Sequence, residues 1–180
     1  MIYILTGPVH SGKTTLLTQI TRSLRERGLK IDGFLSVPVW KGSERTGYNL
    51  YDLGTEESFP FICTTGEATW QRIGSYYFIP DGLEKAKNIL LGARDAGLLV
   101  VDEVGPLELS GKGLWPVLRD LMSHGGGRYL LVVRESVLRD FVEMLKNSDV
   151  EVFHIQDENT FARMIGKLTA PGTRPDSKPE

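Results

Sequence analysis

The chain has 180 residues, a length that one domain accommodates, and 41% of them are apolar, enough to build a core. Lysine and arginine total 21 against 23 aspartates and glutamates, for a formal net charge of −2. That balance lacks the positive excess of a nucleic-acid or anionic-membrane binder, and no run of about 18 apolar residues is present to cross a bilayer.

Ile2 to Thr6 reads as a buried strand. The next eight residues, Gly7-Pro8-Val9-His10-Ser11-Gly12-Lys13-Thr14, fit the pattern G-x-x-x-x-G-K-[ST] at every fixed position. An amphipathic helix follows, with Leu16, Leu17, Ile20 and Leu24 on one face and Gly28 as its stop, and a second strand, Ile31 to Ser36, completes a βαβ opening. Glycines allow the backbone to wrap closely around an anion, so that successive N–H groups and the helix N-terminus point at phosphates. The expected phosphate-binding set is therefore Gly7, Pro8, Val9, His10, Ser11, Gly12, Lys13, Thr14 and Thr15. Within it Lys13 brings positive charge to the β and γ phosphates and the Thr14 hydroxyl ligates Mg2+. His10 can face phosphate or solvent, and solvent is the preferred expectation.

Between residues 36 and 80 the glycines and prolines multiply, predicting short antiparallel strands and turns. Nine aromatic residues fall there, enough to pack an extra sheet, and a narrower expectation has Trp40, Tyr48 or Tyr51 walling a nucleotide base. The α/β alternation then resumes. A helix carries Leu83, Ala86, Leu90 and Ala93, and a strand Leu98 to Val101 ends at Asp102. A helix from Trp115 to Met122, a strand from Tyr129 to Val133 and a helix from Val137 to Lys146 capped by Ser136 come next. A strand from Val150 to His154 and a helix through Phe161, Met164, Ile165 and Leu168 finish the pattern, and the tail 170–180 reads as disordered. Strands apolar throughout, separated by amphipathic helices, imply a parallel sheet covered on both faces. The expected architecture is one α/β domain over residues 1–169, a P-loop three-layer fold with an antiparallel elaboration at about 36–80.

The strand ending in Asp102-Glu103 supplies the second half of the chemistry. An acid at a strand tip near a P-loop can hold Mg2+, which suits Asp102, and Glu103 is then placed to orient or deprotonate an attacking water. Thr14 and Asp102 are the expected metal ligands. Arginine can stabilise the charge spreading over a phosphoryl group in the transition state. Arg134, at the end of the following strand, is the first candidate for that role, with Arg45 and Arg72 behind it.

The run Asp102-Glu103-Val104-Gly105-Pro106-Leu107-Glu108-Leu109, together with Gly7-Pro8 and Gly12-Lys13-Thr14-Thr15-Leu16, resembles the THEP1-type nucleoside-triphosphatase family. Arg45-Thr46-Gly47-Tyr48 is similar to that family's Arg-x-Gly-Phe element, and Gly74-Ser75-Tyr76-Tyr77-Phe78 to its Gly-x-Tyr strand. Val104 and Leu107 are mild variants, and Val39-Trp40-Lys41 stands where the family commonly has Val-Arg-Glu. The resemblance implies Mg2+-dependent release of phosphate from ATP, GTP and other nucleoside triphosphates with loose base preference.

Three other readings fit the sequence less well. A switch-type GTPase needs Asn-Lys-x-Asp, and Lys146-Asn147-Ser148-Asp149 only scrambles it. A small nucleotide or nucleoside kinase uses the same loop and sheet, but no arginine-rich lid separates the last strands and Glu103 suits a water better. A slow nucleotide-dependent switch would work through movement of residues 36–80. Leu109-Ser110-Gly111-Lys112-Gly113 is expected to be a helix-capping loop rather than a transporter signature. The expected ligands are thus nucleoside triphosphates, with no nucleic acid or membrane partner and a monomer or weak oligomer. Cys63, the sole cysteine, permits no internal disulfide and is expected in the core; with an N-terminus unlike a signal peptide, it points to the cytoplasm.

Overall fold

Strand β1 (Ile2–Gly7) is buried at all six residues and alternates between two cores. Ile2 and Ile4 face one, Tyr3 and Leu5 the other, as the two-residue period of a strand requires. In this computed structural model, which describes residues 1–93, 96–123 and 127–170, the elements after β1 are α1 (Lys13–Glu26), β2 (Ile31–Lys41), β3 (Glu44–Asp52), β4 (Ser58–Cys63), β5 (Arg72–Ile73) and β6 (Tyr76–Phe78). Then come α2 (Pro80–Gly92), β7 (Leu98–Val104), α3 (Pro106–Leu109), α4 (Trp115–Ser123), β8 (Tyr129–Arg134), α5 (Leu138–Met144), β9 (Val150–His154) and α6 (Thr160–Thr169). Among the described residues nine strands form one sheet in the order β5-β6-β4-β3-β2-β7-β8-β1-β9.

The stretch β2-β7-β8-β1-β9 is parallel throughout. One core joins its strands to α2, α4 and α5 through Ala86, Leu90, Leu118 and Phe141. The other joins them to α1 and α6 through Leu17, Ile20, Leu24, Met164 and Leu168. Burial on both faces explains why Leu98–Val101 and Tyr129–Val133 are apolar without alternation. The three-layer expectation is met.

The antiparallel elaboration is present but is no separate sheet. It extends the parallel sheet at its β2 edge, because β2 runs to Lys41, five residues past the expected end at Ser36. Residues Ile31–Phe34 pair with β7, and from Phe34 onward the pairing is antiparallel with β3. Beyond Phe34 the other edge of β2 has no strand beside it among the described residues, so Pro38, which lacks an N–H, leaves no gap there. This wing (β3 to β6) therefore projects over the C-terminal ends of the parallel strands.

Some local expectations fail. Ser136 does not cap α5: it lies in a 3-10 turn, Glu135–Val137, and makes no side-chain cap bond, because the chain leaves β8 already turning. Phe161 is exposed while Met164, Ile165 and Leu168 are buried, since the helix turns it away from the sheet. Cys63 is half-buried on β4 and its Sγ donates to the Thr65 carbonyl at 2.9 Å. The tail beyond residue 170 lies outside the described residues.

Candidate nucleotide-binding site

The loop between β1 and α1 is shaped by two glycines. Gly12 caps α1 in the left-handed region, at φ 87°, where a side chain is disfavoured. It offers no side-chain acceptor to the first N–H groups of the helix, which stay directed at the loop. At Gly7 a Cβ would lie 2.4 Å from Ile155 Cγ2, so the segment after β9 closes the back of the loop. Lys13 is 7% exposed, and its Nζ donates to the carbonyls of Gly7 at 3.0 Å and Pro8 at 2.7 Å. Ser11 Oγ is buried without a hydrogen-bond partner among the described residues. Pro8 is half-buried, whereas Val9, His10 and Thr15 are exposed along the rim.

From the opposite wall comes β7. Opposite β8 its register shifts between Asp102 and Val104, leaving Glu103 as the extra residue of a bulge. Bulges re-aim side chains, and both acids thereby serve the same crevice. Thr14 Oγ1 donates to Asp102 Oδ2 at 2.8 Å, and the Ser36 amide donates to the same oxygen at 3.3 Å. The Ser36 hydroxyl donates to the Asp102 carbonyl. Asp102 is 2% exposed, and burial pushes its carboxyl up to about 7. The Thr14 hydroxyl opposes that rise, the neighbouring Glu103 charge adds to it, and the Ser36 amide and Lys13 oppose it more weakly. Glu103 pairs with Arg134 through Oε1 and Nε.

Magnesium fits this donor set. Mg2+ takes hard oxygen ligands and is commonly held by one or two protein groups plus substrate phosphates, rather than by an all-protein cage. Thr14 Oγ1 and Asp102 Oδ2 are such a pair, and among the described residues no group of three or more His, Cys, Asp and Glu side chains is gathered to form a cage elsewhere.

The wing reaches the loop through Arg45. Its Nη1 and Nη2 lie 3.1 Å and 3.2 Å from His10 Nδ1 and Nε2, so His10, though exposed, has a partner and does not face solvent alone. Trp40 is 57% exposed at the same edge, Tyr48 is half-buried beneath Arg45, and Tyr51 instead packs against the core on the α1 side. Arg72 is exposed and folds back on its own turn, donating to the Gly74 carbonyl at 2.9 Å.

Two contributors escaped the sequence reading. Ser36 carried no local signal, because its position depends on where β2 pairs. Glu108 carried one, its place in the acid-strand motif, but its role appears only in space. It is buried, and accepts from the amides of Gly105 at 2.9 Å and Leu114 at 3.3 Å, tying down the loop that follows β7. Burial raises its carboxyl pKa, against those amides and the Arg134 charge.

A family model described as NTPase matches residues 2–164. A nucleoside-triphosphatase THEP1 from Thermofilum pendens is 30% identical over 177 residues, 93% of this chain and 97% of its own length. Its counterpart from Thermotoga maritima is 27% identical over 88% of each. Among solved structures, a human cancer-related nucleoside triphosphatase superposes with a TM-score of 0.72 at 25% identity, over 92% of this chain and 94% of its own. THEP1 from Aquifex aeolicus gives 0.74 at 22% identity, covering 94% and 99%, and shares the fold.

Proposed function

This chain belongs to the nucleoside-triphosphatase family, and from that premise we propose that it hydrolyses nucleoside triphosphates to diphosphate and orthophosphate with Mg2+ as cofactor. The observation that carries the reading is the 2.8 Å contact between Thr14 Oγ1 and Asp102 Oδ2, which joins the phosphate loop to the acid strand across 88 residues. Thr14 and Asp102 would hold the Mg2+, which would supply positive charge beside the phosphates of the nucleotide. The loop amides from Val9 to Thr15 cradle the phosphates, and Lys13 turns from its two loop carbonyls to the β and γ phosphates.

Arg134 engages Oε1 of Glu103 and leaves Oε2 to a water. That water's oxygen attacks the γ phosphorus as its proton passes to Glu103. The bond from the γ phosphorus to the bridging oxygen breaks, and its electron pair leaves with the diphosphate. Arg134 also adds positive charge to the crevice in which the transferring group gathers negative charge. Loose base preference is supported by the absence from the sequence of a guanine-reading Asn-Lys-x-Asp element. A cytoplasmic setting agrees with the lone Cys63, and among the described residues no helix is long and apolar enough to cross a membrane.

The test is phosphate release from a panel of nucleoside triphosphates, with Mg2+ or with chelator, for the wild type and Glu103→Gln. Release from several nucleotides that needs Mg2+ and disappears in the variant is the expected result. Tight nucleotide binding with no release from wild type would overturn hydrolysis in favour of transfer to an acceptor.

A further inference from the structure

The wing delivers one arginine to the phosphate loop and surrounds it with rings. Arg45 sits at the start of β3, its guanidinium carbon 5.2 Å from the centroid of Tyr48 and 5.8 Å from that of Trp40. Its Nε donates to Tyr76 Oη at 3.3 Å, and Tyr76 packs edge-on against Tyr48 at 5.7 Å. Three strands, β2, β3 and β6, thus hold the guanidinium in place, while its two terminal nitrogens face His10 of the loop.

Those two contacts leave the guanidinium short of acceptors. Every nitrogen of arginine is a donor, and a neutral imidazole has one acceptor nitrogen, so only one of the two approaches is a hydrogen bond. Among the described residues no carboxylate lies within ion-pair distance of Arg45. The collar also stands beside the acid strand. Burial raises the Tyr48 phenol pKa, the Arg45 charge lowers it, and Tyr76, Glu103 and Arg134 all act on the same hydroxyl. Arg45 thus touches His10 of the loop that cradles phosphate, and Tyr48 beneath it is within electrostatic reach of Glu103.

We propose that Arg45 is a catalytic residue of the phosphoryl-transfer site, an arginine supplied within the chain that engages the terminal phosphate of a nucleoside triphosphate. The inference rests on the reading above for its substrate. Arg134, occupied by Glu103, then acts mainly by orienting that carboxylate, and Arg45 contributes a guanidinium that meets no carboxylate among the described residues and keeps donors to spare. No partner protein is required to supply an arginine. A guanidinium held by rings and by one phenol oxygen needs little reordering to meet a phosphate, and its fork geometry matches two phosphate oxygens.

The test compares wild type with Arg45→Ala and Arg45→Lys, using Arg72→Ala as control, in Mg2+ buffer. Two readouts are taken: affinity for a non-hydrolysable β,γ-imido triphosphate against the matching diphosphate, and steady-state phosphate release. Arg45→Ala should weaken the triphosphate analogue about tenfold or more while leaving the diphosphate unchanged. Its kcat should fall on the order of 10³-fold, with Arg45→Lys in between and Arg72→Ala like wild type. An unchanged triphosphate-to-diphosphate ratio in Arg45→Ala overturns the proposal whatever happens to turnover, as does an equal loss of both affinities, which marks support of the loop. If wild type binds both nucleotides and releases no phosphate, hydrolysis fails, and the ratio still decides for or against Arg45.

Discussion

Replacing Asp102 by Asn should stabilise the protein while disabling it. The Asp102 carboxyl is buried and its pKa stands at about 7 against an ordinary 3.8, so the unfolded chain gives up this proton about three pH units before the folded chain does. With a raised folded pKa, the group's favourable contribution is complete below 3.8 and is lost as pH rises towards 7. At 1.36 kcal/mol per unit, the loss is roughly 1 to 2 kcal/mol at pH 5 and about 4 kcal/mol by pH 8. Asparagine keeps an oxygen for the Thr14 hydroxyl and the Ser36 amide and has no charge to bury. Urea unfolding of both proteins in metal-free buffer should therefore show the variant gaining on wild type by roughly 2 to 3 kcal/mol between pH 5 and pH 8, a large share of a typical stability. Adding Mg2+ and nucleoside diphosphate should then raise the wild-type midpoint and leave the variant's nearly fixed. A stability gap that stays constant or shrinks between pH 5 and pH 8 would refute the account of Asp102 as a carboxyl whose charge is disfavoured by burial.

Lys13→Ala removes a cation whose Nζ hydrogen-bonds, among the described residues, to the carbonyls of Gly7 and Pro8, so phosphate release should drop at least a hundredfold with the thermal midpoint moving only a few degrees, as checked by calorimetry. Near-normal turnover in that variant would remove the phosphate loop from the chemistry. Glu108→Gln addresses the loop behind β7. Because burial raises this carboxyl above its ordinary 4.5, wild-type stability should fall relative to the variant as pH rises from 4.5, which denaturant titrations across pH can follow. The opposite slope would mean that the amides of Gly105 and Leu114 outweigh burial and hold the carboxylate ionised.

The sequence determined the parts of this protein whose physics is local. The phosphate loop is read from Gly7 to Thr14 because a backbone that wraps an anion needs glycine at fixed places and a lysine and hydroxyl at the mouth of a helix. The parallel core is read from uninterrupted apolar runs such as Leu98–Val101, since only strands buried on both faces can do without polar residues. Asp102 and Glu103 announce themselves as acids on such a strand. What the sequence could not convey is where separate elements meet. In a regular strand Asp102 and Glu103 would point to opposite faces; the bulge opposite β8 brings both to one crevice, and it exists only through pairing with a strand about thirty residues away. Ser36 reaches Asp102 because β2 lies beside β7, and Glu103 meets Arg134 because β8 lies between β7 and β1. The wing is the furthest case. Arg45 is an ordinary arginine at a strand start until β2 outruns β7 and carries β3 above the phosphate loop, and no spacing within the chain encodes that distance, because it is fixed by the register of a nine-stranded sheet.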